Sequence, residues 1–297
     1  MADDQGPATA RRSSREWGRP APPVPAAVDV LIPTAGRVAE LAVTLAGLAS
    51  QDEPGFRVVV SDQSDQEASS RAAVQAMARV LRAQGRETVF LRHVPRRGMA
   101  EQRHFLLSHA TSESVLFLDD DVWLEPGQLA RMWDALQTLR CGFVGAAVQG
   151  LSYLSEERPH EHVSFEIWGD QVSPEAVHRG NGAFERWPLH NAANLTHIAR
   201  DIVVPDRGWI PYKVAWVGGC VLFRRSDLLA SGGFSFWEQL PPEHSGEDVA
   251  AQWHIMARSG GVGLLPSGAV HLEAPTTIPH RPVDAFDVLP DEPKGAA

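Results

Sequence analysis

The densest chemistry in the chain lies in Val115-Leu116-Phe117-Leu118-Asp119-Asp120-Asp121. Four consecutive apolar residues predict a strand buried on both faces. The carboxylates follow where that strand would leave the core, and ligands of open α/β sheets bind beyond the carboxyl ends of the strands. Asp119 and Asp121 are two apart, so on extended backbone their side chains share a face. Two hard oxygen donors there suit Mg²⁺ or Mn²⁺, which take a few carboxylates and complete their shell with substrate phosphates. The competing reading is a solvated acidic turn, with one Asp capping a helix that starts near Pro126.

Other residues could work beside these acids. Asp62 ends a second apolar strand on the same rim. Its carboxylate can accept from the N–H of a nucleobase or simply close an Asx-turn in Ser61-Asp62-Gln63-Ser64-Asp65. Pro33 and Thr34 end the first strand and could line a nucleoside pocket. Arg96, Arg97 and Arg103 are candidate phosphate contacts through bidentate guanidinium pairing. Glu247 and Asp248 open an amphipathic helix after Gly246. Acids there complement the helix dipole, or one of them serves as a general base toward an acceptor hydroxyl. His271 could complete an Asp/Asp/His set for Mn²⁺, with His244 as its competitor.

The surrounding pattern predicts the elements that hold these groups. Strands are expected at 29–32, 56–61, 88–92, 115–118 and 142–148, alternating with helices at 38–50, 67–83, 99–110 and 126–139. Such alternation with short links predicts a parallel sheet wrapped by helices. Residues 1–27, rich in Pro, Ala, Arg and Ser, read as a disordered tail. Residues 28–148 form one half, and 149–274 a second half with an irregular insert at 150–212. In that second half, a strand broken by glycines at 216–223, helices at 226–230 and 247–259 and short strands at 262–265 and ending at His271 are expected. Residues 275–297 read as a loose tail.

Composition narrows the partners. A net charge of −10 argues against nucleic acid or an anionic membrane as the main partner. An acidic protein that handles a diphosphate needs a cation at the site. Cys141 and Cys220 fall in apolar runs, which disfavours a disulfide framework or a Cys-based zinc site. No run reaches the ~18 apolar residues of a membrane span and the start is not signal-like, so a cytoplasmic location is expected. Pro33-Thr34-Ala35-Gly36-Arg37 supplies neither the three glycines of a dinucleotide turn nor a P-loop cradle.

Taken together, VDVLIPTAGR, VVVSDQSD, RRGMAEQRH, VLFLDDDV, WVGGCVLFRRSDLLASGGF and SGEDVAAQWHIMARSGG, in that order over about 28–273, resemble the family 2 glycosyltransferases of the GT-A fold. The resemblance implies a Rossmann-like, mostly parallel α/β sheet with a smaller mixed half. It further implies inverting transfer of a sugar from a nucleotide-diphosphate sugar, UDP-linked by preference, to a carbohydrate or other hydroxyl, with Mn²⁺ or Mg²⁺. Asp62 would meet the base, Asp119, Asp120 and Asp121 the ribose, diphosphate and metal, and His271 would be a third metal ligand. Asp248 would be the catalytic base, and Trp216, Gly218, Gly219 and Glu247 would border the acceptor. The segment 150–212 matches no part of that pattern, and Arg103-His104 stands where Arg-Asn is common. The alternatives are a sugar-nucleotide nucleotidyltransferase, whose glycine-rich first loop is missing, and a non-catalytic nucleotide- or sugar-binding module.

Overall fold

Val28–Thr34 (β1), Phe56–Asp62 (β2), Thr88–Arg92 (β3) and Ser114–Leu118 (β4) alternate with helices Val38–Ala49 (α1), Ala72–Ala83 (α2) and Met99–Ser108 (α3) in a computed structural model that describes residues 14–19 and 21–289. Along β4 the side chains divide between the sheet's two faces: Val115 and Phe117 join one core cluster, Leu116 and Leu118 the other. All four are at most 3% exposed, and each such burial is worth ~1.5–3 kcal/mol. The apolar run was therefore a sound guide to a doubly covered strand. Leu41, Leu45 and Leu48 pack the inner stripe of α1 as their spacing predicts.

After the acids comes Val122–Leu124 (β5), followed by helix Gln128–Leu139 (α4) and strand Phe143–Gly145 (β6). The remaining elements are Asn194–Ala199 (α5), Ile210–Tyr212 (β7), Cys220–Arg224 (β8), Arg225–Ala230 (α6), His244–Ser245 (β9), Glu247–Ser259 (α7), Gly261–Leu265 (β10), Ala269–His271 (β11), Val283–Asp284 (β12) and Ala285–Val288 (α8). The main sheet runs β3-β2-β1-β4-β8-β6-β10-β7. Strands β1 to β4 are mutually parallel, β8 is antiparallel to both β4 and β6, and β10 runs parallel to β6. The sheet is thus mostly parallel, as expected. However, β6 is not the direct neighbour of β4, because the later β8 is inserted between them.

Other expectations are corrected. The helix after β2 starts at Ala72 rather than Glu67, behind a separate turn at Ala68–Ser70. Residues 216–219 are not strand, and β8 starts at Cys220. The segment 150–212 is mostly short turns and 3₁₀ helices, yet its last residues join the main sheet as β7. Residues 21–27 are docked rather than loose: Ala21 N–H donates to Ala83 O and Val24 N–H to Gly85 O. Ser14–Trp17 forms a helical turn, and the tail reading for 1–13 and 20 lies outside the described residues. The C-terminal stretch is likewise built in as far as Leu289, with β12 pairing β9 and Ala285 and Leu289 buried; 290–297 lie outside the described residues. Cys141 and Cys220 are buried and unbridged. Among the described residues no helix is long and apolar enough to cross a membrane.

Candidate active site

Strand register assembles the site. In the β1–β2 ladder Thr34 stands opposite Asp62, while β4 ends beside β1 with Leu31 opposite Phe117. The carboxyl ends of three strands therefore share one rim, and β8 begins there too, since Cys220 pairs with Leu118. The triple Asp fills the turn between β4 and β5. Strand β5 pairs antiparallel with β11 so that His271 faces Val122, and Leu272 N–H donates to Asp121 O at 2.8 Å. This short ladder brings His271 to the acids across 150 residues of sequence.

Because the backbone turns at these acids, the expected one-face pairing of Asp119 with Asp121 is replaced by a different division. Arg37 donates from Nη1 to Asp120 Oδ1 (3.1 Å) and to Asp121 Oδ2 (2.5 Å), and from Nη2 to Pro275 O (2.6 Å). Asp120 also accepts from the Thr34 hydroxyl at 2.7 Å. Burial nonetheless pushes the Asp120 carboxyl up to about 6, outweighing Thr34 and Arg37. Asp121 Oδ2 lies 3.4 Å from His271 Nε2. Burial alone would raise its proton affinity, but His271 and Arg37 hold it below the usual carboxylate range.

Asp119 faces the other way, toward Arg103. That guanidinium donates to Asp119 Oδ1 (3.1 Å) and, through Nε, to Glu247 Oε1 (3.0 Å). A single buried arginine from α3 thereby joins the acid turn to the start of α7. Two glycines allow this approach. Gly98, at φ 105°, precedes α3, and a Cβ there would meet His244 Cε1 at 2.6 Å. Gly246, at φ 73°, precedes α7, and its Cβ would meet Phe286 at 2.6 Å. Next along, Asp248 has its own helix amide, Val249 N–H, at 3.0 Å. Burial drives its carboxyl far above the ordinary carboxylate range and the Glu247 charge adds to this, while Arg103 opposes them.

One cavity of about 350 Å³ is lined by Asp119, Asp120, Asp121, His271, Glu247 and Asp248 together with Pro33, Thr34 and Arg103. Arg37, Gln102, Thr276 and Arg281 also line it, and none of these was singled out from sequence. Gln102 ties the rim together by donating to Ser61 O at 2.8 Å. For Arg37 the signal was a basic residue in the turn after the first strand. For residues 276–281 there was none, because a polar, proline-bearing stretch carries no periodicity.

Other candidates fall elsewhere. Asp62 is 2% exposed and gives its two oxygens to the amides of Ser64 (2.8 Å) and Ala68 (2.6 Å), the geometry of an Asx-turn. It stands behind the cavity wall, where Ser64 Oγ in turn accepts from Gly36 N–H. Arg97 is exposed and outside the lining, and Arg96 donates to Gln63 O. His244 spends both ring nitrogens on backbone, at Pro241 O (2.6 Å) and Ala100 N–H (3.1 Å), and is thereby set apart from His271 as a ligand. Trp216 packs into an aromatic group with Phe184, Trp253 and Phe286. Gly219 O accepts from Asp119 N–H at 2.8 Å, so the glycine pair braces the acid turn.

The donor chemistry fits a hard divalent cation. Asp119 and Asp121 offer carboxylate oxygen and His271 imidazole nitrogen to the same cavity, and Asp119 has 35% of its side chain open. Among the described residues no three His, Cys, Asp or Glu side chains form a ready cage. An ion that takes one or two carboxylates and draws its remaining ligands from phosphate and water needs no such cage. Two contacts would have to change: Arg37 must release Asp121, and the Glu273 N–H that now donates to His271 Nδ1 (3.0 Å) must leave it. Nε2 can ligate only when the ring proton sits on Nδ1.

An α/β sheet with acids on its carboxyl rim and a second acidic pair at a helix start defines a GT-A-type fold. The sequence profile of glycosyl transferase family 2 matches residues 29–193, more than half of the chain. The chain belongs to this family. Among curated proteins no relative matches. Among solved structures, the mannosyltransferase PcManGT from Pyrobaculum calidifontis, in complex with GDP-Man and Mn²⁺, is similar at a TM-score of 0.54 and 17% identity, over 89% of this chain and 64% of that one. S. aureus TarS is similar at 0.48 and 17% identity, over 80% of this chain and 34% of that one. The chain thus spans less than two thirds of the length of either protein, and the likeness to the first shows the shared fold.

Proposed function

We propose that the protein is an inverting glycosyltransferase that moves a sugar from a nucleotide-diphosphate sugar to an acceptor hydroxyl. The observation that carries this reading is a single cavity holding Asp119, Asp121, His271 and Asp248. Pro33 and Thr34 line the nucleoside end, and Asp62 supports that wall through Ser64 and Gly36. Asp119, Asp121 and His271 are the residues that would hold Mn²⁺ or Mg²⁺, which when bound neutralises charge on the departing diphosphate.

Asp248 receives the acceptor's proton. The acceptor oxygen forms its bond to the anomeric carbon as the bond to the diphosphate oxygen breaks on the opposite face, which inverts that carbon. A carboxylate whose proton affinity lies far above the ordinary range is better matched to this task near neutral pH than a solvated one. Arg103 keeps Glu247 and Asp119 in place and limits how far that affinity rises.

The test is product analysis with a panel of nucleotide sugars, Mn²⁺ and sugar acceptors. Release of a nucleoside diphosphate from any of these donors supports the reading. Release of pyrophosphate from a nucleoside triphosphate would assign a nucleotidyltransferase instead. No turnover and no thermal stabilisation by any donor would sink both, since a ligand near 100 Kd adds about 2.7 kcal/mol.

A further inference from the structure

A second cavity, of about 370 Å³, adjoins the first and shares His271 and Ala274 with it. Its size lies within the ~300–1,000 Å³ of small-molecule sites. Half of the lining comes from the irregular segment, Gly150, Tyr153, His190 and Ala192, faced by Val148 and Glu273. A Cβ on Gly219 would lie 2.9 Å from Val148 Cγ1, and Gly219 O holds the Asp119 amide. Val148 of the cavity wall thus packs closely on the glycine that holds the acid turn.

Backbone strain gathers at this cavity. Among the described residues three non-glycines have positive φ, and two of them, Ala192 (φ 50°) and Glu273 (φ 56°), line it. Side chains rarely adopt this conformation, and it persists where the surroundings over-determine it, notably at ligand sites. Here Gly150 N–H donates to Ala192 O (3.0 Å) and Ser152 N–H to Glu273 Oε1 (3.0 Å), which fixes both. Gly150 lets the walls close in, since a Cβ there would lie 3.0 Å from the Tyr153 ring and 3.3 Å from Glu273 Oε1.

We infer that this cavity is the acceptor subsite and that it takes a neutral, hydroxylated sugar ring; the inference rests on the transferase reading above. Tyr153 is 42% exposed and offers an aromatic face to the C–H surface of a pyranose. Glu273 offers an accepting oxygen to ring hydroxyls and repels carboxylate or phosphate substituents. His190, bonded to the Tyr212 hydroxyl at 3.0 Å, is kept uncharged by burial. The guanidinium over the Tyr153 ring, that of Arg158, is committed to Glu156 and Glu161. The two cavities meet at His271 and Ala274, and Asp248 lines the first of them.

The experiment has two stages. UDP, GDP and TDP with Mn²⁺ are first screened by thermal shift. Saturation-transfer NMR on the nucleotide-loaded protein then follows methyl glucoside, methyl galactoside, methyl mannoside, glucuronate and glucose 6-phosphate. The neutral glycosides are expected to give signals and the anionic sugars none. Tyr153→Ala should weaken glycoside binding by about five- to tenfold, and Glu273→Gln should admit glucuronate. Nucleotide stabilisation with no glycoside signal, or with signals equal in wild type and Tyr153→Ala, overturns the acceptor assignment alone. Absence of stabilisation by every nucleotide overturns the transferase reading and this inference with it.

Discussion

The two rims of the central sheet both bury carboxylates, and they treat them in opposite ways. At the rim where β1 starts, Asp29 is fully buried and accepts two bonds from Arg57 (2.9 and 3.0 Å) and two from the amides of Thr111 (2.5 Å) and Ser112 (2.9 Å). Burial alone would push its carboxyl up, but these partners hold it below the usual range. At the opposite rim, Asp248 is left with one amide of its own helix and a like-charged neighbour, and its proton affinity rises. A carboxylate with all its oxygens answered is structural cement. One that is half-buried and under-answered carries a free-energy cost that proton transfer can relieve.

The sharpest way to break this contrast is to replace each acid. Asp248→Asn is expected to lower turnover by about 10²–10⁴-fold with donor affinity nearly intact. Steady-state kinetics decides, and full turnover in the variant removes Asp248 as the base. Asp29→Ala should leave the cavity alone and cost ~3–5 kcal/mol of stability by orphaning the buried Arg57 contacts. Chemical denaturation reads this directly, and a loss below 1 kcal/mol would mean that Asp29 is not the anchor claimed.

Asp121→Ala is expected to abolish the Mn²⁺-dependent part of nucleotide binding, removing up to about 2.7 kcal/mol of ligand stabilisation at 100 Kd. Thermal shifts with and without Mn²⁺ separate this from a general loss of fold.

Acidity sharpens the comparison further. Asp29, with its folded pKa depressed, contributes stability above its ordinary value near 3.8 and loses that contribution as pH falls through the lower folded value. Asp29→Asn should therefore flatten the acid side of a Tm-against-pH curve below about pH 4. Asp248 has the opposite sign: ionising it costs the folded state increasingly as pH rises above 3.8. Asp248→Asn should then raise Tm at neutral pH, and a fall there would contradict the under-answered environment. The smallest effect is expected at Arg97, which is exposed and outside the cavity. Arg97→Ala should shift stability and nucleotide binding by less than ~0.5 kcal/mol, whereas a larger loss of binding would restore it as a phosphate contact.

Much of 28–148 was legible because its strands are buried on both faces. A run such as Val115 to Leu118 has few alternatives once it must leave water on each side. The acids at the strand exit and at the start of α7 were legible for a related reason, since charge placed where an apolar element ends has a restricted set of positions. Residues 276–289 were not, because their order comes from pairing with β9 and packing on α7 rather than from any period of their own.

By itself the sequence determined most elements of 28–148 and which residue types stand at their ends, since burial and helix or strand periodicity are local. It identified Asp119, Asp121, Asp248 and His271 as candidates, but it could not say what each would touch. Tertiary structure decided that β8 separates β4 from β6, that Arg37 rather than Asp119 attends Asp121, and that both oxygens of Asp62 go to backbone amides. The reason is that an acid's protonation and ligand-holding ability depend on neighbours within a few ångströms, and here strand register and helix packing bring those neighbours from segments far apart in the chain.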